Sequence, residues 1–416
     1  MNMKKMRFRQ VLILLSLIAS SHQLFAQAKE WESDVIYSER QVPFYELPDP
    51  LVTVEGKKVT TPEEWTNLRR PQIMAMFAST IYGRVPQPDD PVQQTFEVLS
   101  VDPHFLDGRC TRKLLLAHFK NRRGSIDMHI AVFTPNGLGK PAPVLLRMGF
   151  DEASGQKVDL KNIQQYGELG NETPLIHFLD KGLGVVCIQG GEVVRDENSF
   201  NNSIQQLYYK GNQSMPRADE WGVLAGIAWQ ASRAMDYIET DKDIDAKKVA
   251  LVGFSKLGKC ALWAAAQDTR FAMVFSQNSG CAGAALWRRN FGENLKYMTR
   301  FPHWLCDNAR KFVGRAEELP VDQHMLIACI APRPIYITSG INDMWADNMG
   351  EYLSAYHATP VYELFGLEGQ TSPVRPRINE PAENRALSYC IRSGAHGYEQ
   401  TDWDRYINFM DLYFNK

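Results

Sequence analysis

Apolar positions along this chain follow two periods, and the switch between them divides it. Residues 96–101, 112–119, 126–134 and 142–147 are runs of β-branched and aliphatic side chains bounded by turn residues, and each predicts a strand. Residues 221–239 place Leu224, Ile227, Ala231, Met235 and Ile238 at the three-to-four spacing of one helical face. A strand at 249–252, a helix beginning near Ser255, strands at 271–275 and 334–338, a helix near 351–357 and a strand at 361–365 continue the alternation. The closing stretch 401–414 puts Trp403, Tyr406, Ile407, Met410 and Phe414 on one side, so a final helix should dock there. Strands alternating with helices predict an α/β fold with a mostly parallel central sheet and helices on its faces.

Upstream of the first strand the pattern is different. Residues 27–88 are rich in Pro and charge, with one helix-like stretch at 61–82 that opens on the capping sequence Thr-Pro-Glu-Glu. We read 29–94 as an N-terminal extension packing on a catalytic domain of residues 95–416. Residues 1–28 read as a signal peptide: Lys4, Lys5, Arg7 and Arg9 precede the apolar run 11–19, and Ala26-Gln27-Ala28 supplies small residues for cleavage. The run is roughly half of the ~20 residues that cross a bilayer. The expected mature protein is exported, periplasmic or secreted, with no membrane span.

Charge and cysteine content narrow the partners. The 46 Lys and Arg against 48 Asp and Glu leave a formal charge of −2, which offers no basic field, so nucleic acid is not an expected partner. Seven cysteines, at 110, 187, 260, 281, 306, 329 and 390, form no C-x-x-C pair, and no metal is expected. In an oxidising compartment Cys281 with Cys306 is the candidate bridge, against buried free thiols such as Cys187 and Cys329. The segment 241–245 imitates a calcium loop. Ala246 stands where Gly is needed and Val252 where Glu is needed, so it reads as a helix-to-strand connection.

The chemistry concentrates at Val252-Gly253-Phe254-Ser255-Lys256-Leu257-Gly258-Lys259, where an apolar strand meets a helix through a Gly-flanked Ser. That is the setting of a nucleophile elbow, in which a sharp turn exposes the hydroxyl beside a helix N-terminus. The spacing departs from G-x-S-x-G, because the second Gly falls one place later. A Ser nucleophile needs a base, and the base needs an orienting carboxylate, in the chain order Ser, acid, His for this fold type. Asp343 follows the strand 335–338 and its Ser339-Gly340 turn, and His396 precedes the last helix. His324, with Asp322 beside it, is the rival base, but it precedes the acid.

These segments (253–289, 320–347 and 392–403), with Arg69-Arg70-Pro71, Ala331-Pro332-Arg333-Pro334 and the run Ser-Gly-Cys-Ala-Gly-Ala-Ala-Leu at 279–286, resemble the glucuronoyl esterases, carbohydrate esterase family fifteen. The resemblance implies an α/β-hydrolase fold, a three-layer α/β/α sandwich, and hydrolysis of the ester joining (4-O-methyl)-glucuronic acid of glucuronoxylan to a lignin alcohol, with no cofactor. It matches Ser255 to the nucleophile and His396 to the base, with Asp343 at an acid position used by some bacterial members. It matches Lys259, Glu293 and Trp345 to sugar-binding positions. The family's signature Arg, which helps hold the oxyanion, is Lys256 here, and a point-charge ammonium does not reproduce a guanidinium fork. Asn278 stands where many members carry the triad's Glu. Competing readings are an esterase of another carbohydrate ester, such as acetylated xylan, and an inactive relative that binds the polysaccharide. The oligomeric state stays open, with a monomer the expectation.

Overall fold

Alternation within the strands sorts side chains to the two faces of one sheet. The computed structural model describes residues 35–149, 168–169, 173–383 and 385–415, so the signal-peptide reading at 1–28 lies outside the described residues. Among these, nine strands form the main sheet: β1 (Gln93–His104), β2 (Cys110–Asn121), β3 (Gly124–Pro135), β4 (Ala142–Gly149), β5 (Gly184–Gln189), β6 (Ile244–Phe254), β7 (Met273–Gln277), β8 (Ile335–Gly340) and β9 (Leu387–Arg392). Their spatial order is β1-β2-β3-β5-β4-β6-β7-β8-β9. Pairing is antiparallel from β1 through β3 to β5 and parallel from β5 across to β9. The parallel strands are apolar on both sides because helices cover both faces.

Val144, Leu146, Val249, Leu251, Ile335 and Ile337 point to one core. That core also holds the buried sides of α1 (Arg70–Thr80), α2 (Val223–Ile238), α3 (Lys256–Gln267) and α4 (Asn348–Leu364). Their neighbours in sequence, Leu145, Ala250, Val252 and Tyr336, point to a second core built on α5 (Gln400–Phe414), where Trp403, Tyr406, Ile407, Met410 and Phe414 are all buried. The result is the expected three-layer sandwich. The helix start near 61 forms as its sequence asks: Thr61 Oγ1 accepts from Glu64 N at 3.2 Å, with Pro62 at the first helical position. Ile73 and Phe77 then sit in the first core, and Tyr82 stacks on Trp263 of α3 at 4.5 Å. Among the described residues no helix is long and apolar enough to cross a membrane.

Two expectations fail. Residues 361–365 are not a strand; through Leu364 they are the last turn of α4. Val361 and Tyr362 extend the buried stripe of Ala358 by the helical three-to-four step, while Pro360 faces solvent. A short β-branched and aromatic run carries the same signal in a buried helix as in a strand. The second failure is the Cys281–Cys306 bridge, since all seven cysteines are free. The two belong to different neighbourhoods: the Cys281 carbonyl faces the Lys259 ammonium, whereas Cys306 Sγ faces the Ser79 carbonyl at the end of α1. Strands β5 and β9 were not anticipated, and β9 matters because it ends at the loop that carries His396.

Candidate active site

The strand β6 cannot run into α3 without a sharp reversal, and Ser255 makes it at φ 55 and ψ −125. A non-Gly residue in that region is strained, as a nucleophile elbow requires. Ser255 N donates to the Gln277 carbonyl at 2.9 Å, which ties the turn to the end of β7. The glycines explain the shifted spacing. A Cβ at Gly253 would lie 2.1 Å from the Leu257 carbonyl oxygen, and one at Gly258 would lie 2.9 Å from the Ser279 Cβ. The crowded place is therefore position 258, while Leu257 packs in the core.

The expected acid and base come from two strand ends, those of β8 and β9. Asp343 follows β8 in a turn closed by its N–H on the Gly340 carbonyl. A side chain at Gly340 would collide with the Ala395 carbonyl at 2.6 Å, so this close approach is what lets the loop after β9 reach Asp343. That loop is wound on the Arg392 guanidinium, which donates to the Ser393, Ala395 and Gly397 carbonyls and to Asp402. His396 Nδ1 lies 2.6 Å from Asp343 Oδ2. Asp343 is buried, while the His396 ring is 42% exposed and rests on Phe254. Its Nε2 is thus the nitrogen left for chemistry at the surface. Among the described residues Ser255 and His396 share no hydrogen bond, and such bonds often tighten only with substrate present.

The two lysines of the elbow are anchored by carboxylates. Lys256 Nζ lies 2.8 Å from Asp196 Oδ2 and 5.6 Å from the centre of the Trp304 ring. Burial opposes ionisation of Asp196, but hydrogen bonds from His303, Lys256 and Trp304 and the Lys256 charge hold it well below the usual carboxylate range. Lys259 is buried, and its ammonium donates to the Ser279 carbonyl at 2.8 Å, the Cys281 carbonyl at 2.6 Å and Glu293 Oε2 at 2.6 Å. The expected sugar donor therefore has all three of its N–H groups engaged within the chain. Glu293 N in turn donates to the Trp345 carbonyl, and Trp345 is partly exposed with its ring edge-on to Tyr297 at 4.3 Å. Lys259, Glu293 and Trp345 thus form one contiguous patch.

The rival base is excluded by its surroundings. His324 is 1% exposed, its Nε2 meets the Pro48 carbonyl, and burial pushes its imidazole down to about 3. Asp322 pairs with Arg288 instead. Among the described residues no His, Cys, Asp and Glu group could hold a metal. Sequence reading missed Asp196, Gln277, Glu351 and Arg392, which support the site, the last three from buried positions and Asp196 from the solvent edge. Only Asn278 carried a signal, as an amide at the end of β7.

Comparison with known proteins gives the family. The model of the family described as glucuronyl esterase, fungi, matches residues 118–366. A carbohydrate esterase, MZ0003, from an unknown prokaryotic organism is 38% identical over 90% of this chain and 91% of its own. A 4-O-methyl-glucuronoyl methylesterase of Schizophyllum commune is 25% identical over 77% of this chain and 74% of its own. Among solved structures, a glucuronoyl esterase from Solibacter usitatus superposes with a TM-score of 0.83 at 36% identity, covering 91% of this chain and all of that one.

Proposed function

The chain belongs to the glucuronoyl esterase family, and from that premise we propose that this carboxylic ester hydrolase cleaves the ester between (4-O-methyl)-glucuronic acid of glucuronoxylan and a lignin alcohol, through an acyl-enzyme on Ser255. Ser255 Oγ attacks the uronate carbonyl while His396 Nε2 takes its proton. Asp343 holds the imidazole by Nδ1 and stabilises the imidazolium that forms. The oxyanion is met at the N-terminus of α3 by the Lys256 backbone N–H, with the Lys256 ammonium close by. His396 then protonates the leaving alcohol, and a water activated by the same imidazole releases the glucuronic acid. Glu293 and Trp345 receive the sugar, Glu293 accepting from its hydroxyls and Trp345 offering a ring face, with Lys259 fixing Glu293. No cofactor enters any step.

What carries the reading is the 2.6 Å His396–Asp343 bond at the strand ends beside the strained Ser255. Ser255→Ala and His396→Ala, assayed on a benzyl glucuronoate, should each lose about 10³–10⁶ in kcat. Full activity in either variant, or release of acetate alone from acetylated xylan by the parent enzyme, contradicts the proposal. We also place the mature protein outside the cytoplasm, after removal of residues 1–28. Residues 29–94 then clasp a catalytic body of residues 95–416.

A further inference from the structure

Behind the acid lies a chain of neutral amides. Asn278 follows β7 with φ 45, is 2% exposed, and donates its backbone N–H to the Thr338 carbonyl at the end of β8. The neighbouring side chain fixes which way its amide points. Gln277 Nε2 faces the Gly397 carbonyl at 3.0 Å and Asp402 Oδ2 at 3.1 Å, both acceptors, so this atom is the NH2 group. It also donates to Asn278 Oδ1 at 2.8 Å, while Tyr406 of α5 donates to Gln277 Oε1. Asn278 Oδ1 is thereby taken, and Asn278 Nδ2 is the end that lies 2.7 Å from Asp343 Oδ2. That is the same carboxylate oxygen that meets His396 Nδ1.

We propose that Asn278 is a positioning residue of the reaction: its amide holds the Asp343 carboxylate with Oδ2 aimed at His396, and it does so as a donor without charge. The inference rests on the Ser255–His396–Asp343 reading above. A carboxylate in this place has to meet an imidazole that gains and loses a proton twice per turnover. A neutral donor fixes its plane throughout the cycle and leaves its charge for the imidazolium. A cation in the same place would compete with the imidazolium, and a second carboxylate would hold the proton on it. The other charged groups facing this corner are Glu351 of α4, which feels the charge of Asp343, and the Asp402–Arg392 pair behind Gln277.

Two variants separate the amide from the backbone it stands on. Asn278→Gly keeps a residue at ease with positive φ and removes the amide, the donor to Asp343 together with the acceptor that Gln277 uses. Asn278→Asp keeps the shape and replaces the donor by a negative charge. On a benzyl glucuronoate, Asn278→Gly should lose about 10- to 100-fold in kcat, the scale of one hydrogen bond to a charged group, with KM within about twofold. In Asn278→Asp the acidic limb of the kcat/KM profile should move to higher pH by about one unit or more, because a nearby anion favours the protonated imidazole. Near-UV circular dichroism confirms that both variants are folded. A folded Asn278→Gly with parental kcat, or an Asn278→Asp with an unmoved limb, overturns the inference alone. If Ser255→Ala and His396→Ala, run alongside, keep their activity, the triad reading falls and this one with it.

Discussion

The acid side of the site and its cationic side are built on opposite rules. Among the described residues the Asp343 side chain is hydrogen-bonded by the Asn278 amide and the His396 ring, neither of which bears a fixed charge, and in the proposed reaction it keeps its own charge for the imidazolium. Across the elbow each ammonium is matched to a carboxylate, Lys256 to Asp196 and Lys259 to Glu293. The difference teaches what each side is for. A charge that must respond to a proton during turnover is steadied by dipoles, whereas a charge that must stay fixed in a buried place is neutralised by a partner. In this account the lysines are anchors first and ligands second, and the catalytic field is concentrated on one carboxylate.

The comparison breaks most visibly if the buried pair is broken. Glu293→Gln leaves the Lys259 ammonium among two backbone carbonyls with no compensating charge, and unfolding in urea should show a loss of about 3–5 kcal/mol. A loss under about 1 kcal/mol would mean that the two carbonyls suffice and that the pairing rule is wrong. Asp196→Asn should cost less, about 1–2 kcal/mol in the same measurement, because Asp196 is partly open to solvent and the new side chain keeps an acceptor for Lys256.

A smaller effect sharpens the contrast through pH. Glu351 is fully buried between α4, the end of β8 and the loop after β7, where it accepts from the Ser339 and Ser279 hydroxyls and Gly280 N. Burial raises it most, and its carboxyl is pushed up to about 7. A carboxyl that holds its proton more tightly when folded stabilises the protein fully below the ordinary glutamate range, and that contribution is lost as pH rises toward 7. Glu351→Gln cannot ionise. Its Tm should therefore fall less than that of the parent between about pH 5 and pH 8, and exceed it by a few degrees at the upper end. Parallel Tm curves would show that Glu351 does not titrate there.

Much of this site was legible because its parts are local. The elbow is a strand, a Ser and crowding glycines within one short stretch, and Asp343 and His396 each follow a strand end in the required chain order. The supports were not legible, because each joins positions far apart in sequence. Asp196 meets Lys256 across 60 residues and Asn278 meets Asp343 across 65, and no periodicity encodes such contacts. The helix at 351–357 was read too short for the same reason that 361–365 was read as a strand: inside a core, apolar runs lose the polar face that distinguishes the two periods. Lys259 was matched to a sugar-binding position by resemblance, which could not show that its three donors were already engaged.

The proposed reaction turns on Asp343 being the carboxylate that serves His396. The most direct test is kcat of Asp343→Asn on a benzyl glucuronoate, since this change keeps the shape, removes the charge and leaves one acceptor oxygen in place of two. A fall of about 10³–10⁴ is expected, with KM little changed. A variant within tenfold of the parent would show that His396 is oriented by another group.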